Sequence, residues 1–203
     1  MIASLRGFDT LAAHLAPKRV APLLHEFLAA ISDVAVAHHA LIDTVVGDGV
    51  LLLYGVPIPR RDDPVRAVRA AAALQRAALA LRNRWLAGGD TRAAGLGLAV
   101  GVAAGEVLVV DLSADGGRAA TPIGEPLRRA ERLCAAARGG ETLVDEATYA
   151  SAATRLGGEW SFSARPLGGR PREARGGAYR AQPRRAALRV VATRAGGAGP
   201  LAG

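Results

Sequence analysis

Apolar and turn-forming residues are most clearly arranged in segment 41–55, LIDTVVGDGVLLLYG. Two runs of β-branched residues and leucine flank Gly47-Asp48-Gly49, and Asp-Gly between apolar runs favours a β-hairpin, because glycine tolerates the positive φ of a tight turn. The pattern therefore predicts two antiparallel strands with Asp48 at the tip. Aspartate is common in turns for structural reasons, so Asp48 by itself does not indicate a function.

Apolar residues at helical spacing from Val20 to Val34 predict the core-facing side of a helix over 17–38, in which Pro22 is expected to kink the helix or delay its start. A second apolar stripe, from Ala67 to Trp85, belongs to a helix that begins near Asp62. Further helices are predicted over 8–15, 125–137 and 145–155, and strands over 1–6, 95–103, 106–110, 141–144, 159–164 and 176–181. This alternation predicts a mixed α/β layer, a sheet covered by helices.

The composition fits one globular domain followed by a tail. Half of the 203 residues are apolar, and from residue 183 onward the chain is rich in Arg, Ala and Gly, which predicts a domain over 1–182 and a disordered tail over 183–203. No uninterrupted apolar run approaches the length of a membrane span, and the start MIASLRGF lacks the apolar region of a signal peptide. Cys134 is the only cysteine, as is common in reducing compartments. We therefore expect a cytoplasmic location and no membrane span.

The charge balance raises the question of a polyanionic partner. The formal net charge is +8 and the sequence pI is about 11.0, and basic surfaces attract nucleic acids. However, Lys18 is the only lysine, and arginine-rich coding bias produces such a composition without any ligand. Nucleic acid is therefore not the expected partner.

Six segments resemble, in the same order, parts of the class III adenylate/guanylate cyclase catalytic domain. They are ASLRGF (3–8), VVGDGVLLLYG (45–55), DDPVRAVRAAAALQ (62–75), GLAVGVAAGEVLV (97–109), TPIGEPLRRAERL (121–133) and ARPLGGRPREARGGAYRA (164–181). The resemblance implies an α+β (α/β) fold with a ferredoxin-like mixed sheet covered by helices. It also implies a dimer, either with a second copy or with another cyclase domain.

Cyclases of this family join the ribose 3′-oxygen of ATP or GTP to the α-phosphate and release pyrophosphate, with Mg²⁺ or Mn²⁺ ions held by two aspartates. The resemblance implies that Asp48 is one of these metal ligands and places Ser4 at the position of the other. Because a serine hydroxyl is a neutral and weak ligand, the second metal position is expected to be lost. Asp9 lies beyond the strand and is not expected to replace it.

The resemblance also implies where a nucleotide would bind. The backbone at Leu5, Gly7 and Phe8 is expected to hold phosphates at the start of the following helix. Thr44 and Thr121 occupy the positions that select the purine base in the family. Thr44 stands where adenylate cyclases often carry a lysine, so base selection is expected to be weak.

Two arginines fall on positions that reach the nucleotide of the partner chain in the family dimer. Arg132 matches the arginine that stabilises charge in the transition state, whereas Arg128 replaces an asparagine that orients the ribose. Residues four apart lie on one face of a helix, so these like charges repel unless an anion or Glu131 lies between them. A solvated basic helix, with Glu131 in local ion pairs, is the structural alternative.

These substitutions leave three hypotheses. The first is a degenerate cyclase domain that keeps the fold and acts as a regulatory or interaction module. The second is an active cyclase, with the missing metal ligands supplied by a different partner chain, which would use Mg²⁺ or Mn²⁺. The third is an anion-binding or nucleic-acid-binding module that has reused the cleft.

Overall fold

The computed structural model describes residues 1–111, 120–166 and 177–184. The strands are β1 (Ile2–Arg6), β2 (Leu41–Val46), β3 (Gly49–Leu53), β4 (Gly97–Val102), β5 (Leu108–Asp111), β6 (Ala120–Ile123), β7 (Thr142–Asp145), β8 (Trp160–Ala164) and β9 (Ala178–Pro183). The helices are α1 (Phe8–Ala12), α2 (Pro17–Ala37), α3 (Asp63–Ala87), α4 (Glu125–Ala136) and α5 (Glu146–Leu156), with a short 3-10 helix at Thr91–Gly95.

Seven strands form one mixed sheet in the order β2-β3-β1-β4-β7-β9-β8. The β4–β7 pair is parallel, whereas β1 pairs antiparallel with both β3 and β4. Strands β5 and β6 form a separate two-stranded sheet. The arrangement confirms the predicted α+β fold with a mixed sheet covered by helices.

Side chains alternate across β1 and separate two apolar clusters. Ala3 and Leu5 lie in the large core formed with α2 and α3. Ile2, on the opposite face, packs against a smaller cluster that includes Leu133 and Cys134 of α4. The backbone of α4 approaches this face closely, since a Cβ on Gly101 would clash with the carbonyl oxygen of Ala130 and the amide nitrogen of Cys134. Glycine therefore positions α4 directly on the sheet.

Several predicted boundaries differ from the structure. Helix α2 begins at Pro17, where a proline in the first position presets the helical φ, and it contains Pro22. Pro22 therefore does not delay the start of the helix. Strand β6 was not predicted, because the short segment ATPI shows no clear alternation. Strand β9 continues through Pro183, one residue past the predicted domain boundary. The rest of the predicted tail, 185–203, lies outside the described residues.

Helix α2 meets the length and composition criterion for a membrane span, with a mean hydropathy of 1.5 over its most apolar window. The search for uninterrupted apolar runs did not find this segment, because the charged residues Lys18, Glu26 and Asp33 interrupt its apolar sequence. In the structure α2 is amphipathic, and its buried face, which includes Phe27 and Ile31, belongs to the core. Core helices of globular domains meet the same criterion.

Candidate functional site

The structure brings together the two positions that the sequence aligned with metal-binding aspartates. Strand β1 lies beside β3, with Ser4 opposite Gly49 in the register. The amide nitrogen of Leu5 donates to the carbonyl oxygen of Asp48 at 3.1 Å. The hydroxyl Oγ of Ser4 donates to Oδ2 of Asp48 at 3.2 Å. Ser4 and Asp48 therefore form a contacting pair at the turn of the β2–β3 hairpin.

This pair carries one formal negative charge, because the serine hydroxyl is neutral. Within the described residues, no arginine, lysine or histidine forms an ion pair with Asp48. The same residues contain no cluster of three or more His, Cys, Asp or Glu side chains placed to hold a metal ion. Divalent cations prefer several oxygen ligands with carboxylates among them, so one carboxylate and one hydroxyl do not fit a pair of such ions.

The turn after β1 is built around Gly7. This glycine has φ of 85°, in the left-handed region, and a Cβ there would lie 2.9 Å from the carbonyl oxygen of Gly95. The side chains of Leu5 and Phe8 are buried, so only their backbone is available to a ligand. The first amides of α1 have no acceptor within the helix. Phosphate binding by this backbone stays a prediction.

The two threonines at the predicted base-reading positions lie in different sheets. Thr44 is exposed on β2, next to an irregularity in the strand register. Its hydroxyl Oγ1 donates to Oδ2 of Asp43 at 2.7 Å. Thr121 lies on β6, opposite Val110 of β5. Base recognition by either residue also stays a prediction.

Arg128 and Arg132 share a carboxylate on the exposed face of α4. The Nε of Arg128 lies 3.3 Å from one oxygen of Glu125, and an Nη of Arg132 lies 3.1 Å from the other. The hydrogen bond from Arg132, followed by that from Arg128, holds the pKa of Glu125 below its usual value. Glu125, and not Glu131, is the carboxylate that these arginines contact among the described residues, because residues three and seven positions after Glu125 lie on its own helix face.

The arginine face of α4 points away from the sheet. Pro126, Ala130 and Leu133 bury the opposite side of the helix, whereas the side chains of Arg128 and Arg132 are 72% and 46% exposed. No hydrogen bond or ion pair among the described residues joins either arginine to Ser4 or Asp48. One chain therefore presents the two halves of the predicted site on separate surfaces.

Two arginines make polar contacts that the sequence did not reveal and that fix α4 in place. An Nη of Arg6 donates to the carbonyl oxygen of Cys134 at 2.7 Å, which joins the end of β1 to α4. Arg129 donates to the carboxylate of Asp145 at 3.0 Å and to the carbonyl oxygen of Ala104 at 2.8 Å. These partners are distant in sequence, so no local pattern could indicate them.

A cavity of about 620 Å³ lies at the opposite end of the sheet from Asp48. It is bordered by the C-terminal ends of β3 and β4 and by the first turns of α3 and α4. None of the residues predicted to bind nucleotide or metal is among its described lining residues. The cavity therefore does not correspond to the predicted site.

Sequence comparison finds relatives that match this chain over only part of their own length. No family model matches the chain. Uncharacterized proteins of Mycobacterium tuberculosis and Mycobacterium bovis are 31% identical to it over 160 residues. The match covers 77% of this chain and 27% of the length of those relatives. The chain thus resembles one part of longer proteins.

Comparison with solved structures identifies the fold. The adenylyl cyclase CyaB of Pseudomonas aeruginosa superposes with a TM-score of 0.80 and 27% identity, over 89% of this chain and 91% of that one. The guanylyl cyclase Cya2 gives 0.73 with 23% identity, over 89% and 88%. The guanylate cyclase domain of RhGC from Catenaria anguillulae, solved with GTP, gives 0.69 with 18% identity, over 90% and 94%. The chain is therefore a cyclase-like domain with the fold of nucleotide cyclase catalytic domains.

Proposed function

We propose that this chain is a degenerate class III nucleotide cyclase domain that acts as a regulatory or interaction module in cyclic-nucleotide signalling. One observation carries the proposal: the hydroxyl of Ser4 contacts Asp48 at 3.2 Å, at the position where the resemblance expects a second carboxylate. A cytoplasmic location is part of the same proposal.

The charge at this pair accounts for the loss of activity. Forming a cyclic nucleotide moves negative charge onto the departing pyrophosphate, and this step depends on positioned positive charge. A single carboxylate with a neutral neighbour gives a weak cation site. Arg128, in place of an asparagine, also leaves no amide to orient the ribose. The replacements at Ser4 in β1 and at Arg128 in α4 lie on different elements, and both disfavour formation of the cyclic nucleotide.

The exposed arginine face of α4 supports a role in pairing with another cyclase domain. Arg128 and Arg132 lie on the side of α4 that this chain's own sheet does not cover. Their shared partner Glu125 is itself exposed, so an incoming phosphate could compete for both guanidinium groups. The partner would be a second copy or an intact cyclase domain with bound ATP or GTP.

The second candidate function is one half of an active heterodimer. The exposure of Arg132 favours it, because this side chain needs no rearrangement of the core to reach a neighbouring chain. In this arrangement the partner supplies both metal-binding carboxylates, and this chain supplies the guanidinium that stabilises charge on the phosphates.

Production of cAMP and cGMP in the presence of Mn²⁺ distinguishes the two candidates. We expect no detectable product from the purified chain alone. Activity of the chain alone that disappears in Asp48→Ala would contradict the proposed degeneracy. The same assay is repeated after mixing with an intact cyclase domain. A gain in product that Arg132→Ala removes, and that Arg84→Ala on α3 leaves intact, would identify the active heterodimer.

A further inference from the structure

A second cavity, of about 500 Å³, lies between α3 and the backbone that leads into β4 and β7. Its lining includes Arg6 of β1 and Arg76 and Arg82 of α3, and no acidic residue is among its described lining residues. Asp48 and the threonines of the predicted base site are not among them either. The described lining of the cavity therefore contains none of the residues predicted to bind nucleotide, although it adjoins the turn at Gly7, where a Cβ would lie 2.9 Å from the carbonyl oxygen of Gly95.

The backbone of residues 94–98 and 139–140 forms one wall of this cavity. Gly97 and Gly139 approach so closely that a Cβ on Gly97 would lie 2.7 Å from the Cα of Gly139. Above them, Nε2 of Gln75 donates to the carbonyl oxygens of Leu98 and Glu141 at 3.0 and 3.1 Å. These contacts fix the walls, so the cavity does not depend on a flexible loop for its shape.

Arg82 of the cavity lining, like Arg66 and Arg165 elsewhere, carries a buried nitrogen, Nε, without a hydrogen-bond partner among the described residues. Buried polar groups are almost always paired with protein, water or a ligand. Arg76 adds a second guanidinium, and its charge, after the effect of burial, contributes to lowering the pKa of the nearby His38. The region therefore concentrates positive charge on one side of the cavity.

We propose that this cavity binds a compact polyphosphate anion through Arg76 and Arg82. Guanidinium groups form short, charge-assisted and often bidentate hydrogen bonds with phosphate oxygens. A volume of about 500 Å³ lies within the range of small-molecule sites. Arg6 also borders the cavity, but its guanidinium donates to the carbonyl oxygen of Cys134 on the α4 side of the sheet, so the proposed site uses Arg76 and Arg82 alone.

Titration calorimetry with inorganic tripolyphosphate in EDTA tests this site without turnover and without metal. We expect one saturable site per chain. Arg82→Gln and Arg76→Gln should each weaken binding about tenfold, the size of one charge-assisted hydrogen bond. Arg84→Gln removes the same charge from the same helix outside the cavity, so its affinity should change less than twofold. Asp48→Asn should also leave binding unchanged.

Several results would overturn the proposal. Absence of saturable binding is one, and equal weakening by Arg84→Gln, which would indicate only nonspecific attraction to a basic surface, is another. Tighter binding in Asp48→Asn would assign the anion to the predicted nucleotide site instead, because without metal the carboxylate of Asp48 repels a phosphate bound beside it. Circular dichroism and thermal melting establish that each variant is folded. If Arg82→Gln fails to fold, the exposed Arg76→Gln decides the outcome. A negative result here would not change the interpretation of the cyclase assay, because that assay varies no residue that lines this cavity.

Discussion

Glu141 and Asp48 are two carboxylates next to strands of the same sheet, and their surroundings are opposite. Glu141 is only 6% exposed and accepts from the backbone nitrogen of Arg138 at 3.0 Å and from Arg180 at 2.6 Å, with Arg165 at 3.5 Å. Burial acts to raise its pKa, but these hydrogen bonds and positive charges outweigh burial, and the pKa is lowered. Asp48 has only the hydroxyl of Ser4 as a side-chain partner among the described residues.

The difference separates a structural carboxylate from one that remains available. The protein itself balances the charge of Glu141, so this residue stabilises the fold and has little left to offer a ligand. Nothing comparable in the described part of the chain balances Asp48, which is half-buried at a turn. A balanced carboxylate should therefore matter for stability, and an unbalanced one should matter for binding.

Removing each carboxylate in turn tests this separation most directly. We expect Glu141→Ala to lower the free energy of unfolding by about 3 kcal/mol, because it leaves buried donors and two arginines without their shared partner. We expect Asp48→Ala to lower it by about 0.5 to 1 kcal/mol, the value of one hydrogen bond. Urea denaturation of both variants measures these values. Equal losses would remove the distinction.

Acid should remove the contribution of Glu141. The folded-state pKa is lowered from 4.5, so the unfolded chain takes up the proton first as the pH falls. The stabilisation is fully present above about pH 4.5 and is lost as the pH falls through the lowered pKa. Glu141→Gln keeps the shape without the charge. It should be about 2 kcal/mol less stable than the wild type at pH 7, and the gap should close in acid. A constant gap would mean that packing, not charge, stabilises this region.

A second carboxylate beside Asp48 should convert the pair into a cation site. Ser4→Asp places two like charges in contact, and we expect it to cost about 1 kcal/mol of stability without metal. It should strengthen Mn²⁺ binding at least tenfold, because cation affinity rises with the number of charged ligands. Calorimetric titration with Mn²⁺ measures the gain, and the neutral variant Ser4→Asn is the control. Full cyclase activity is not expected, because Thr44 and Arg128 remain.

The fold could largely be predicted because its signals are local. The Gly47-Asp48-Gly49 turn fixes the hairpin, and the apolar spacing from Ala67 to Trp85 gives the length of α3. The proximity of Ser4 to Asp48 required more, since these residues are 44 positions apart and only the family resemblance aligned them. The described geometry agrees with that alignment, while the roles of the site residues stay predictions.

The charge partners could not be predicted, because ion pairs across a fold leave no sequence period. Arg180 lies 39 positions from Glu141, and nothing local connects them. Glu125 was missed for a different reason: its arginines lie three and seven positions away, whereas Glu131 is equally near to Arg128 and adjacent to Arg132. Likewise, the unpaired Nε of Arg82 depends on how α3 packs over the glycine backbone at residues 97 and 139.

The smallest effect is expected on the exposed face of α4. Glu125→Gln should leave the thermal midpoint of unfolding unchanged within error, because exposed ion pairs contribute little to stability and are screened by salt. It should nevertheless alter association. With Glu125 neutral, Arg128 and Arg132 repel each other and are free to bind phosphate on another chain, so pairing with a nucleotide-loaded cyclase domain should strengthen at low salt. Sedimentation at 50 and 300 mM salt, with Glu131→Gln as the matched control on the same helix, measures this. If both variants behave alike, the shared contact with Glu125 does not restrain the arginines, and α4 is only a solvated basic helix.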